Sequence, residues 1–228
     1  MVDFKIRGNS MPVLDVSLSA GDNVYTESGG MAWMSGNIAM DSNMRGGLGK
    51  SLGRMFSGES LFMVNYSCAQ GTGMITFCME SPGRIVEFDF DTQKQAIICQ
   101  RDAFMVAQNS VELSTHLTKR LGAGLFGGEG FFLQKLQGTG KAFLELPGEI
   151  TEFNLKEGQV LKVDPGYIGA FEESVNFDIT RIKGVKNMLF GGEGIFLAEV
   201  TGPGKVWLQS MPFSKLAKKI IRYLPKKS

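Results

Sequence analysis

The chain reads Leu125-Phe126-Gly127-Gly128-Glu129-Gly130 at its middle and Leu189-Phe190-Gly191-Gly192-Glu193-Gly194 near its end. A looser copy, Met55-Phe56-Ser57-Gly58-Glu59-Ser60, stands earlier, with Ser57 and Ser60 where the other two carry glycine. The three Gly-Glu pairs are separated by 70 and 64 residues. Self-similarity at a near-constant period marks a repeated supersecondary unit. The 228 residues therefore read as three copies of one small module.

The similarity extends outward from the signature. Before each copy lies an alternating run: Leu14-Asp15-Val16-Ser17-Leu18, Val86-Glu87-Phe88-Asp89-Phe90 and Thr151-Glu152-Phe153-Asn154-Leu155. Period-two alternation predicts a strand with one buried and one solvated face. After each signature comes an apolar strand, at Leu61-Phe62-Met63-Val64, Phe131-Phe132-Leu133 and Ile195-Phe196-Leu197. A Gly-x-Gly turn follows in each copy: Gly71-Thr72-Gly73, Gly138-Thr139-Gly140 and Gly202-Pro203-Gly204. Glycine supplies the positive φ that tight hairpins need. Strands from Met74 to Phe77, Lys141 to Leu144 and Lys205 to Leu208 close the copies. Two Pro-Gly turns, Ser81-Pro82-Gly83 and Leu146-Pro147-Gly148, set the borders. The expected modules are residues 1–81, 82–146 and 147–212, followed by a helical tail at 213–228.

Between the borders no segment shows helical periodicity with caps, and 30 glycines punctuate short strands. The expected fold class is all-β, built from three tandem small β-sandwich or barrel-like modules. A module of about 65 residues buries little core by itself. Three copies in a pseudo-threefold arrangement share lateral contacts and solve that problem. Each also ends in a strand edge that must be paired or covered.

Composition narrows the function classes. The formal net charge is +1, which argues against a general nucleic-acid binder. Met1-Val2-Asp3-Phe4-Lys5 has neither the basic nor the apolar region of a secretory leader. No stretch reaches the roughly 20 apolar residues that span a bilayer. Cys68, Cys78 and Cys99 are odd in number and lack C-x-x-C spacing, so they are expected to be reduced, mostly buried thiols of a cytoplasmic protein.

The motifs offer little chemistry. Gly46-Gly47-Leu48-Gly49-Lys50-Ser51 resembles a phosphate loop, but the pattern places its first glycine at Met44, and no βαβ unit surrounds it. His116 is the only histidine, and no paired cysteines or second histidine accompany it to hold zinc. No G-x-S-x-G elbow supports a triad. No catalytic residue, cofactor or metal is expected, and the chain is read as a non-enzyme.

Two sets of charges remain as candidate binding residues. Glu59, Glu129 and Glu193 recur in every copy. They form either a ring of carboxylates for a cationic group or acceptors for the glycine N–H groups of their own turns. Basic residues, among them Lys119, Arg120, Arg181 and Lys183, precede the signatures and fall on one rim if rotation relates the modules. Such a rim suits phosphates or an acidic lipid surface, or it salt-bridges the glutamates.

From Phe213 onward the chain carries Lys215, Lys218, Lys219, Arg222, Lys226 and Lys227 and no acid. Setting these six aside leaves the rest at −5. Ser214 suits an N-cap, and Leu216, Ala217, Ile220, Ile221 and Leu224 recur at helical spacing until Pro225. A basic amphipathic helix either meets an anionic membrane, through Lys215, Lys218, Lys219 and Arg222, or docks on its own sheet or a neighbouring subunit.

The Gly-Gly-Glu-Gly stretches, the Gly-x-Gly turns and the ending Met211-Pro212-Phe213-Ser214-Lys215-Leu216-Ala217 together resemble a widespread microbial family. It is related to the mitochondrial-biogenesis "altered inheritance of mitochondria" protein, and the resemblance covers essentially the whole chain. The family's modules are similar to the subunit of the tryptophan RNA-binding attenuation protein, a small double-stranded β-helix-like sandwich that assembles into rings. The resemblance implies three such modules per chain and a homotrimer, hence a nine-module ring, and it carries over no catalytic residue. The expected function is a ring-forming scaffold or interaction protein at a membrane surface or with a protein partner. The alternatives are a ring that binds small ligands near Glu129 and Glu193, or one that binds single-stranded RNA on its basic rim. No Lys-x-Lys pattern on the repeated strands supports RNA.

Overall fold

The computed structural model describes residues 2–43, 63–119, 131–181, 196–221 and 223–224. Nineteen strands, two short helices and two 3-10 turns occupy them. The first stretch holds β1 (Asp3–Arg7), β2 (Val13–Ser19), β3 (Asn23–Glu27), β4 (Met31–Met34), β5 (Ile38–Asn43), β6 (Met63–Cys68) and β7 (Thr72–Cys78). The second holds β8 (Gly83–Asp89), α1 (Phe90–Gln93), β9 (Ile97–Gln100), β10 (Phe104–Gln108), β11 (Val111–Lys119), β12 (Phe131–Gly138) and β13 (Lys141–Pro147). The third holds β14 (Ile150–Leu155), β15 (Val160–Val163), β16 (Ile168–Glu172), β17 (Asn176–Arg181), β18 (Phe196–Thr201), β19 (Gly204–Gln209) and α2 (Phe213–Ile221). The fold is all-β.

Alternation decides which faces are buried. In β2, Leu14, Val16 and Leu18 are buried while Ser17 faces out. In β13 the central run Ala142-Phe143-Leu144 is buried on both faces, because cores press on it from each side. One element departs from the expected strand at 86–90. Asp89 accepts hydrogen bonds from the backbone N–H groups of Asp91 and Thr92, so Phe90 opens the one-turn helix α1. An aspartate at that position satisfies orphan helix donors, which outweighs the alternation. The Gly-x-Gly turn between β12 and β13 needs its glycine: Gly138 has φ +128, and a Cβ there would meet the Ser110 carbonyl oxygen.

The strands form four sheets, in the orders β1-β2-β7-β4, β5-β6-β3-β10-β13-β8, β11-β12-β9-β16-β19-β14 and β15-β18-β17. One pairing pattern recurs along the chain. The triplets β2-β7-β4, β8-β13-β10 and β14-β19-β16 are alike, and so are β3-β6-β5, β9-β12-β11 and β15-β18-β17. Even the irregularities recur: the register shifts between Met31 and Trp33, between Phe104 and Val106, and between Ile168 and Ala170. A bulge repeated at one position is a designed feature of a strand.

The two six-stranded sheets draw their strands from two stretches each. They are joined by β3 against β10 and by β9 against β16. The cores also cross the sequence borders at 81/82 and 146/147. One contains Tyr25, Phe88, Leu144 and Trp207 together. The Tyr25 hydroxyl donates to the Val111 carbonyl at 3.0 Å, 86 residues away. Phe88 meets Trp207 edge-on at 5.0 Å between ring centroids.

Candidate functional site

The crossing of sheets opens a cleft of about 330 Å³ that all three stretches line. The first contributes the turn Ser28–Gly30 after β3, together with Cys78, Glu80 and Ser81. The second contributes Gln100, the 3-10 turn Arg101–Ala103, Phe104, Met105, Glu145 and Pro147. The third contributes Gln209, Pro212, Phe213 and Ser214. Cys78, Glu145 and Gln209 are counterparts. Each follows the residue that pairs with the first residue of the bulged strand: Phe77 with Met31, Leu144 with Phe104, Leu208 with Ile168. One backbone position thus converges three times, with a different side chain each time.

Their chemistry differs accordingly. Glu145 lies between the buried Leu144 and Leu146, and it accepts a hydrogen bond from the Glu80 N–H at 3.1 Å. Burial pushes its carboxyl up to about 7, and the charges of Glu80 and Asp102 add to that rise against the Glu80 hydrogen bond. A carboxyl desolvated in this way, in a cleft, marks a candidate site. Burial, first, and the charge of Asp15 raise the Cys78 thiol, so Cys78 is not an activated nucleophile. Gln209 is buried and donates to the Gly166 carbonyl at 3.1 Å, while Gln100 donates to that of Pro165 at 3.1 Å. Arg101 bonds Asp102 at 3.0 Å and sits 5.5 Å from the centroid of the Phe132 ring.

Behind the cleft wall, Gln134 is 1% exposed, and its Nε2 donates to Glu27 at 3.3 Å. Its Oε1 is buried without a hydrogen-bond partner among the described residues. A buried acceptor left unpaired costs about 1–3 kcal/mol.

At the mouth of the cleft begins α2. The Pro212 carbonyl accepts from Lys215 and Leu216, which starts the helix. Lys215 anchors it to the third stretch, 2.7 Å from Asp164 and 4.3 Å from the Tyr167 ring centroid. Beyond that anchor Leu216, Ala217 and Lys218 are half-buried, and none of the helix's described residues is fully buried. Phe213 and Ile220 are 54% and 52% exposed and lie seven residues apart on one face, with Leu216 and Ala217 between them. Ile221, Tyr223 and Leu224 are exposed as well.

The sequence-derived candidates fall in several places. Glu59, Glu129, Glu193, Arg120, Lys183 and Arg222 lie outside the described residues. Lys119 and Arg181 close β11 and β17, with backbone alone described. Lys215, Lys218 and Lys219 ride on α2. His116, on β11, is exposed, and desolvation followed by the Lys135 charge lowers its pKa. Among the described residues no three His, Cys, Asp or Glu side chains converge to hold a metal, and no helix is long and apolar enough to cross a membrane. The cleft itself escaped the sequence reading. Its only sign there is the changing residue at the position of Cys78, Glu145 and Gln209, which closes each Gly-x-Gly hairpin.

Known proteins share this architecture. A curated protein of Streptococcus pyogenes serotype M6, described as uncharacterized, is 26% identical over 230 residues, covering 97% of this chain and 90% of its own. The crystal structure of a Streptococcus pyogenes protein from a structural genomics programme has a TM-score of 0.78 at 24% identity. It covers 98% of this chain and 100% of the other, which establishes a common fold. The profile of one family, mitochondrial biogenesis AIM24, matches residues 4–211, and the chain belongs to that family.

Proposed function

We propose that this protein is a non-enzymatic scaffold whose copies join head to tail, β15 of one against β4 of the next, and close into a trimeric ring. One observation carries the reading: among the described residues, β4 and β15 each stand at a sheet edge with one side unpaired, and the two edges are complementary. Within the chain, β3 pairs with β10 and β9 pairs with β16. The next pairing in that series is β15 with β4, and the two lie at the edges of separate sheets.

Exposure supports it. Trp33 occupies in β4 the post-bulge position that Val106 and Ala170 occupy in β10 and β16. Val106 and Ala170 are 0% exposed, whereas Trp33 is 48% exposed. The register follows as well. Ala170 pairs with Cys99, which faces Gln134 four residues before Gly138. Val163 faces Ala198, four residues before Gly202, and is the counterpart of Cys99. Val163 of one copy then lies opposite Trp33 of the next, and Lys162 opposite Met34. A heterologous contact of this kind closes into a ring or runs on as a filament.

The experiment introduces Trp33→Cys and Val163→Cys together in a Cys78→Ser background. Facing residues of an antiparallel pair stand about 4.5–5.5 Å apart at Cα, within disulfide reach. Oxidation is expected to give dimers and trimers on a non-reducing gel. A strictly monomeric product, or one equal to that from Trp33→Cys with Lys156→Cys, contradicts the pairing.

The exposed apolar face of α2, flanked by Lys215, Lys218 and Lys219, supports a second clause. The scaffold works at an anionic membrane surface, where bases approach phospholipid headgroups and the apolar face enters the interface.

A further inference from the structure

We propose that the junction between copies is built to open: methionines line it and it covers the Lys162–Glu199 pair, so the ring exchanges copies while the junctions inside each chain hold. The inference rests on the pairing of β15 with β4 proposed above and names what controls it. At each internal junction one residue of the incoming strand is enclosed by the stretch that follows. Tyr25, 1% exposed, pairs with Ala107 and shares a core with Phe104, Val111 and Leu113. Ile98, also 1% exposed, pairs with Phe171 and shares a core with Ile168 and Val175, against which Phe177 packs.

The third member of this series is Lys162. It faces Glu199 across β18, as Tyr25 faces Asn65 and Ile98 faces Lys135. Its enclosure has to come from the next copy, and the repeat names the residues. Met31 opens β4 as Phe104 opens β10 and Ile168 opens β16. Met34 follows the bulge as Ala107 and Phe171 do. Met40 faces Tyr66 as Leu113 faces Leu136 and Phe177 faces Val200. In the isolated chain Met40 is 57% exposed, whereas Leu113 is 5% exposed.

The Lys162 ammonium lies 2.9 Å from Glu199, and its side chain is 61% exposed. Closure against β4 takes this pair out of water at a position that is apolar at both internal junctions. The desolvation of such a pair offsets most of its attraction, and lysine and glutamate are depleted from interface cores. Methionine, unbranched and polarisable, accommodates the lysine stem without fixing a single packing. The copy-to-copy junction is therefore the weakest of the three kinds.

Sedimentation of the full chain over a dilution series, with native mass spectrometry of mixed isotopically labelled and unlabelled trimers, tests the inference. The unaltered protein is expected to pass from trimer to monomer on dilution and to form trimers of mixed mass. Glu199→Gln strands the Lys162 charge and should raise the midpoint concentration of dissociation about tenfold. Lys162→Ile combined with Glu199→Gln should lower it about tenfold below that of the unaltered chain. A trimer that keeps its parent copies, a midpoint indifferent to Glu199→Gln, or a double variant no tighter than the unaltered chain overturns this inference and leaves the ring standing. A monomer at every concentration overturns both. Copy exchange and the Glu199→Gln midpoint decide the matter even if the double variant fails to fold.

Discussion

Glu145 couples stability to pH in a direction opposite to most carboxylates. Its folded-state pKa, about 7, lies above its ordinary value of 4.5. The folded chain therefore holds a proton that the unfolded chain releases, and stability falls as pH rises from about 4.5 through about 7. Glu145→Gln keeps an acceptor for the Glu80 N–H and removes the charge. It is expected to leave stability unchanged at pH 4.5 and to raise it by about 1–3 kcal/mol at pH 8, the shift being discounted for solvent access. Urea unfolding at the two pH values measures the difference, and equal effects at both contradict the assignment. Phe143 represents the opposite kind of residue. It is 0% exposed, and its ring centroid is 4.7 Å from that of Phe4. Phe143→Ala should cost about 3–5 kcal/mol in the same assay. Phe143 was legible as core from the apolar run in which it stands. Glu145 was not, because alternation assigns it to a wet face, whereas the Glu80 backbone of the first stretch reaches over to bond it and it lines a cleft.

Strands were legible wherever alternation or Gly-x-Gly punctuation marked them, as at Leu14 to Leu18 and at Gly138 to Gly140. Phe90 shows the limit. The same letters fit a fifth strand residue, and only the Asp89 side chain bonding Asp91 and Thr92 turns the chain into α1. The bulges at Ala32, Met105 and Gly169 carry no common residue type, so the register that they repeat is visible only in pairing. The helical tail was legible as α2. Its relation to the body was open, and its exposed apolar face now sets the expected result. The full chain should sediment with vesicles of phosphatidylserine and phosphatidylcholine at low salt. Removal of residues 213–228 should abolish this binding, and high salt should weaken it strongly. Equal sedimentation of the truncated chain contradicts a role for α2.

On the scale of the whole molecule, the repeated letters pointed to repeated strands but not to their partners. Pairing of β3 with β10 and of β9 with β16 joins residues 71–84 positions apart, and local pattern has no access to such contacts. Those pairings are what make β4 and β15 conspicuous. Each is short and, among the described residues, unpaired on one side, and two unlike edges of this kind invite another copy of the chain. The most direct measurement is native mass spectrometry of the full chain, with an edge-blocked variant, Ala32→Pro with Lys162→Pro, alongside. A closed trimer that collapses to monomer in the variant is the expected result. A monomer of the unaltered chain, or a trimer indifferent to both prolines, contradicts assembly through β15 and β4.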